Sequence, residues 1–177
     1  MRLFVALRPP EGCLSSIEQA ALPLKDALGV KVLPSDNWHI TLKFIGEAGE
    51  KKAREIEESL SGVKFPLFEV RLFGAGAFPS PDYPRAIWIG GQSQGALRLA
   101  NLIEEALEKI GIPKEARGFG VHLTVARSKA AGDIKDFLQK TGEVGSFEAR
   151  FFALMKSRLL PQGASYEVLK EFAAEEA

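Results

Sequence analysis

The feature that most constrains the fold is a four-residue pattern that occurs twice, as His39-Ile40-Thr41-Leu42 and as His122-Leu123-Thr124-Val125. The two copies lie nearly half the chain apart, and between them they contain both histidines of the 177-residue sequence. In a β-strand, successive side chains point to opposite faces, so each histidine shares a face with its threonine, and the aliphatic residues face the other way. The repeat therefore predicts a duplicated fold in which two strands present matching polar faces.

The rest of the chain predicts an α+β class. Residues 65–72 alternate polar and apolar side chains like a half-buried strand, and residues 50–60 and 95–110 have the spacing of amphipathic helices. Alternating strands are typical of antiparallel sheets that helices cover on one face, and not of parallel sheets buried on both faces. We expect residues 1–177 to form one domain of two pseudo-symmetric lobes, each carrying one motif and each facing a shared cleft.

Several local features carry their own expectations. A helix that begins at Glu11 should break at Pro23, because proline lacks the backbone donor that a helix interior requires. The run of glycine and proline over residues 74–81 predicts a loop, and the apolar run over residues 147–154 predicts one strand. Strict alternation places Phe44 in the core.

Composition limits the kinds of partner. The 23 basic residues are balanced by 23 acidic ones, which disfavours a protein that coats long nucleic acid through bulk positive charge. A compact phosphate site needs only a few local cations and stays compatible with neutrality. The lone Cys13 fits a reducing compartment, and the apolar run at residues 3–7 is too short for a signal peptide or a membrane span. We therefore expect a cytoplasmic protein without membrane attachment.

The paired motifs predict acid–base chemistry at a phosphodiester. Imidazole titrates near neutral pH, so one histidine can accept a proton from an attacking oxygen while the other donates one to the leaving oxygen. The hydroxyl groups of Thr41 and Thr124 can donate hydrogen bonds to the non-bridging phosphate oxygens. This arrangement requires no metal, and two histidines without a nearby carboxylate or thiolate cluster make a poor zinc site.

Two basic residues near the motifs are further candidates for phosphate binding. Lys43 follows Thr41 in the same phase of the strand, so it can add positive charge to the cleft or lie at a solvated strand end. Arg127 is out of phase with His122 and Thr124, and it reaches the cleft only if the strand bulges or ends near Ala126.

The sequence resembles the two-histidine (2H) phosphoesterase superfamily, and within it the bacterial and archaeal RNA 2′,3′-cyclic phosphodiesterases, once called 2′-5′ RNA ligases. The likeness runs in order over nearly the whole chain and lies in residues 1–7, 38–46, 76–81, 119–127 and 160–166. One departure is Val121, which stands where such proteins usually have proline.

The resemblance implies two antiparallel sheets flanking a V-shaped cleft, with helices outside, and hydrolysis of terminal 2′,3′-cyclic phosphate to a 2′-phosphomonoester. His39 would protonate the departing 3′ oxygen, His122 would activate water, and Arg127 would hold the phosphate. We expect a monomer that acts on RNA or oligonucleotide ends without cofactor, metal or obligate protein partner. The alternatives are a reversible 2′-5′ RNA ligase and a non-catalytic nucleotide- or RNA-binding module on the same fold.

Overall fold

The computed structural model describes residues 1–129 and 131–176, and in that part of the chain four α-helices and nine β-strands are present. The helices are α1 (Glu11–Ala21), α2 (Glu50–Ser61), α3 (Gln94–Glu108) and α4 (Lys135–Lys140). The strands are β1 (Arg2–Leu7), β2 (Val30–Val32), β3 (Ile40–Glu47), β4 (Phe68–Ser80), β5 (Tyr83–Gln92), β6 (His122–Ser128), β7 (Glu143–Ala149), β8 (Phe151–Leu160) and β9 (Gly163–Ala173).

The strands form two antiparallel groups that join at their centre. Their order is β7-β4-β5-β6-β3-β1-β8-β9, and β2 pairs with β6 outside this path. We call β3, β1, β8 and β9 the His39 half-sheet, and β7, β4, β5, β6 and β2 the His122 half-sheet. The two half-sheets meet through β3 and β6 at the single pair Ile40 and Leu123. The predicted α+β class with antiparallel sheets is confirmed.

The helices cover the sheet face opposite the two histidines. In α3 the buried residues recur every three or four positions, and Ser93 caps the helix by accepting a hydrogen bond from the Ala96 amide at 3.1 Å. The aliphatic motif residues Ile40 and Leu123 are fully buried in the core that these helices complete. Burying one face of each strand leaves the other face free to line a cleft. Within the described residues, no helix is long and apolar enough to span a membrane.

Three local expectations have different outcomes. The break at Pro23 is confirmed, since α1 ends at Ala21 and a 3₁₀ turn follows. The loop predicted for residues 74–81 is wrong, because β4 continues to Ser80 and pairs with β5 along this length. The single strand predicted for residues 147–154 is also wrong. It divides at Arg150, where the chain crosses from β7, which pairs with β4, to β8, which pairs with β1.

Candidate active site

The two histidine motifs meet where the half-sheets join. Ile40 lies directly opposite Leu123. An antiparallel register continued by one residue in each direction would set His39 opposite Thr124, and Thr41 opposite His122. The histidines would then be diagonal neighbours across two strands, a relationship that places β-carbons about 7 Å apart. Both motif threonines line the same two cavities as the imidazoles.

Both strands bulge immediately after the motif threonine. In β3 the partners on β1 step from Ala6, opposite Thr41, to Val5, opposite Lys43, which leaves Leu42 as the extra residue. The same irregularity occurs in β6, where the partners of Thr124 and Ala126 on β5 are adjacent residues and Val125 is extra. A bulge makes two successive side chains face the same side and reverses the alternation beyond it.

The bulge in β6 brings Arg127 to the cleft. Val125 and Ala126 are both fully buried, and Arg127 is exposed and lines the same cavities as Thr124. The irregularity near Ala126 that this placement requires is thus present in the structure.

The bulge in β3 overturns two expectations. Lys43 does not face the cleft: its side chain is 2% exposed and lies on the helix side, with Nζ 3.0 Å from Oε1 of Glu104 on α3. Phe44 is not a core residue: it is 66% exposed and lines the cleft. Strict alternation gives the opposite result for both residues because it contains no extra residue at Leu42. Phe44 therefore occupies in β3 the position that Arg127 occupies in β6.

His39 is held by a backbone hydrogen bond and by two aromatic rings that pack against its imidazole. Its Nδ1 is 2.9 Å from the carbonyl oxygen of Asn37, and because a carbonyl only accepts, Nδ1–H is the donor and Nε2 is free for chemistry. The ring centroids of Phe4 and Tyr166 lie 4.9 and 5.0 Å from that of His39. Burial lowers the pKa of His39, the Asn37 hydrogen bond opposes this effect, and the charges of Arg127 and Arg8 lower the pKa further.

His122 is more exposed and is held by packing. The indole ring of Trp88 lies 4.2 Å from its ring, centroid to centroid, at an angle of 38°. On another side, the position of a β-carbon on Gly120 would be 3.3 Å from Cε1 of His122, so a side chain there would crowd the imidazole. Partial burial lowers the pKa of His122 as well.

Two adjoining cavities give the cleft its shape. The larger, of about 760 Å³, contains His122, and the smaller, of about 350 Å³, contains His39. Both are lined by Thr41, Phe44, Thr124 and Arg127, which therefore lie between the two imidazoles. Two hydroxyl donors and a guanidinium at the centre, with a titrating group on each side, suit an anionic phosphodiester.

Sequence reasoning missed residues that shape this site. Trp88 has no predicted role, although alternation from the buried Ile87 and Ile89 puts it on the other face of its strand. Tyr166 lies in one of the segments that carry the family resemblance, but β9 reaches His39 only through the tertiary fold. Trp38, the residue before the first motif, is 5% exposed and belongs to the core.

Across residues 1–129 and 131–176, no group of three or more His, Cys, Asp or Glu side chains lies together as a set of metal ligands.

Comparisons with known proteins find a matching family model and similar proteins. The family model for LigT-like phosphoesterases matches residues 7–88 and 90–166. The RNA 2′,3′-cyclic phosphodiesterase of Archaeoglobus fulgidus is 40% identical over 97% of this chain and 99% of its own. The protein of the same name from Methanocaldococcus jannaschii is 37% identical over 97% of this chain and 100% of its own.

Solved structures share the fold. A Thermus thermophilus protein superposes with a TM-score of 0.81 at 28% identity, covering 99% of this chain and 100% of its own. E. coli LigT complexed with 3′-AMP gives a TM-score of 0.82 at 23% identity over 99% of this chain and 98% of its own.

Proposed function

The chain belongs to the LigT-like phosphoesterase family, and from this premise we propose that it hydrolyses terminal 2′,3′-cyclic phosphate on RNA to a 2′-phosphomonoester. The observation that carries the proposal is the Ile40–Leu123 pair, which brings the histidine and threonine of each motif to one cleft face. The names of the relatives supply the substrate class, and the cleft supplies groups suited to it.

The reaction divides between the two imidazoles. Neutral His122 takes a proton from water, the resulting hydroxide attacks phosphorus, and the bond to the 3′ oxygen breaks as protonated His39 gives that oxygen its proton. The product carries a 2′-phosphate and a 3′-hydroxyl, and proton exchange with solvent returns both histidines to their starting states. Attack in line with the departing oxygen requires groups on opposite sides of phosphorus. The two imidazoles line separate cavities that share Thr41, Thr124 and Arg127, which supports a phosphate bound between them.

The assignment of His39 as proton donor has local support. Its Nδ1–H stays bonded to the Asn37 carbonyl in both protonation states, so the ring keeps one orientation while Nε2 gains and loses a proton. A general acid with a fixed orientation can deliver its proton along one direction.

The central residues hold the phosphate. Thr41 and Thr124 each donate a hydrogen bond to a non-bridging oxygen, and Arg127 offsets the negative charge. All three line both cavities, so a phosphate that contacts them lies between His39 and His122.

The functional unit is proposed to be a cytoplasmic monomer. Both motifs and the cleft between them come from one chain, so a second copy is not needed to complete the site. Cys13 is buried in the core as a free thiol, which suits a reducing compartment.

The test is an assay of an oligonucleotide ending in 2′,3′-cyclic phosphate, in the presence of EDTA, for the wild type, His39→Ala and His122→Ala. We expect activity to survive chelation, the product to be a 2′-phosphate, and each variant to lose at least about a hundredfold in kcat. Lys135→Ala, on α4 and remote from the cleft, serves as the matched control for expression and folding. Complete loss with EDTA, or near-normal turnover in either histidine variant, contradicts the mechanism.

The same assay separates the alternatives. A reversible ligase would join the cyclic phosphate to an added RNA with a 5′-hydroxyl group and form a 2′-5′ linkage, whereas a binding module would retain the oligonucleotide without turnover. A 3′-phosphate product would show that the 2′ oxygen, and not the 3′ oxygen, is the leaving group.

A further inference from the structure

Lys43 makes a buried ion pair that the proposed chemistry does not use. Its amine lies 3.0 Å from Oε1 of Glu104 and donates to the backbone carbonyl of Pro113 at 2.7 Å. Moving two charges out of water costs free energy that their attraction often does no more than offset. The pair therefore needs a reason other than stability.

The duplicated motif offers an internal comparison. Lys43 and Ala126 are equivalent residues, because each follows the extra residue of a bulge and each faces the core. Ala126 is fully buried and uncharged. A bulged strand carrying the histidine motif thus forms without a lysine at this position. The role of Lys43 therefore lies in the contacts that its amine makes with neighbouring elements, and not in forming the strand.

The neighbour of this ion pair is the segment of residues 113–120, which leads into the second motif. Oε2 of Glu104 accepts from the Glu115 amide at 3.1 Å, and Oε1 of Glu115 accepts from the Phe44 amide at 2.8 Å. With the Lys43 bond to Pro113, these contacts join the segment to β3 and α3. We call Lys43, Glu104 and Glu115 the clamp.

The clamped segment forms one wall of the larger cavity. Lys114, Arg117 and Phe119 line it beside His122, and Cζ of Arg117 lies 5.5 Å from the ring centroid of Phe78 on the facing strand. Phe78 is 53% exposed. Exposed aromatic rings and cations next to a phosphate site suit the bases and backbone of single-stranded RNA.

We propose that Lys43 is a positioning residue that, through the clamp, fixes residues 113–120 as the wall of a subsite for the RNA strand beyond the cyclic phosphate. The substrate class in this inference rests on the proposed function. The clamp sets the affinity for the nucleotide portion of the substrate. The reaction at phosphorus depends on the histidines and threonines and does not require the clamp.

The experiment compares two substrates and three variants. The substrates are a trinucleotide ending in 2′,3′-cyclic phosphate and the 2′,3′-cyclic phosphate of methyl riboside, which has no base and no second nucleotide. Lys43→Met combined with Glu104→Leu removes both buried charges together and so avoids leaving one unpaired. Glu115→Ala removes an exposed member of the clamp without changing the core. Lys52→Met is the matched control, because Lys52 also pairs with a carboxylate, Glu55, and donates to a backbone carbonyl, that of Ile110.

We expect the double variant and Glu115→Ala to raise KM for the trinucleotide about tenfold with kcat within about twofold, and to leave both constants for the methyl riboside ester unchanged. Trypsin cleavage after Lys114 and Arg117, a readout independent of activity, should be faster in both variants than in the wild type and Lys52→Met.

Three results overturn the inference. Unchanged trypsin cleavage shows that the clamp does not hold the segment, and faster cleavage with unchanged KM shows that the segment does not bind RNA. Equal losses of kcat on both substrates show that the clamp acts on the groups that react at phosphorus and not on binding of the RNA strand. Wild-type protein that turns over neither substrate overturns the proposed function. This result is obtained before any variant is made, so it is distinguished from a failure of the inference about the clamp.

Discussion

The indole ring of Trp88 covers one face of the His122 imidazole, with ring centroids 4.2 Å apart. The indole reaches this position across Gly76 on the neighbouring strand, where an added β-carbon would lie 2.2 Å from the Trp88 ring. The run of glycine around residue 76 therefore serves close packing beneath a large ring, and the proposed general base is fixed by an aromatic neighbour.

Replacing Trp88 with alanine should lower kcat about tenfold, because His122 loses the surface that holds its ring toward the substrate. Trp88→Phe should retain most of the activity, since an aromatic ring remains. Ile89→Val is the matched control: it lies one residue along β5 on the buried face and should cost about 1 kcal/mol in unfolding free energy without changing kcat. Steady-state kinetics and thermal unfolding make the comparison, and unchanged kcat in Trp88→Ala would contradict the positioning role.

Replacing Arg127 with methionine should raise the pKa of His39. A nearby cation disfavours the imidazolium form, so the guanidinium lowers this pKa and its removal reverses the effect. The chain has only two histidines, and proton NMR titration resolves both rings. The pKa of His39 should stay constant in Arg85→Met, a control substitution of an arginine that lies over the ring of Tyr83. A His39 pKa that falls or does not move in Arg127→Met counts against this electrostatic coupling.

The sequence predicted the α+β fold and the shared face of each His-x-Thr pair because strand periodicity is a local property. The faces on which the side chains beyond each threonine lie depend on strand pairing, which is not a local property. A bulge forms where β3 must match β1 and where β6 must match β5, and pairing partners are not written in the alternation of one strand. For this one reason, strand alternation predicts the position of Arg127 only conditionally and assigns Lys43 and Phe44 to the wrong faces.

For a related reason, the sequence pattern does not predict which residues contact the histidines through the tertiary fold. Tyr166 contacts His39 although two strands, β1 and β8, lie between the motif strand β3 and β9 in the sheet order. No spacing along the chain encodes that contact. The Asn37 carbonyl is close in sequence, but a backbone acceptor leaves no trace in residue type.

Removing one motif hydroxyl should weaken catalysis moderately. Thr41→Val and Thr124→Val each delete one hydrogen bond to the phosphate while keeping the side-chain shape, and each should cost about 1–3 kcal/mol in kcat/KM. The two effects should be similar, because the threonines hold equivalent positions across the Ile40–Leu123 pair. Thr41→Ser and Thr124→Ser, which keep the hydroxyl, are the controls. A loss confined to one of the two valine variants would show that the phosphate contacts a single motif.

The pH dependence follows from the lowered pKa values of both histidines. In the free protein His122 must be neutral to accept a proton, so activity falls as pH drops through its pKa, and His39 must be protonated, so activity also falls as pH rises through its pKa. Burial places both pKa values below the ordinary imidazole value of 6.5, and the maximum of a bell-shaped profile lies midway between them. The kcat/KM profile should therefore peak below pH 6.5.

The kcat profile should peak at higher pH than the kcat/KM profile, because it reports the complex. A bound phosphodiester brings a negative charge between the two imidazoles and favours their protonated forms, which raises both pKa values. Initial rates over pH 4.5–9, at limiting and at saturating substrate, separate the two profiles. A kcat/KM maximum above pH 7, or a kcat maximum at lower pH than that of kcat/KM, would show that these two histidines do not exchange the catalytic protons.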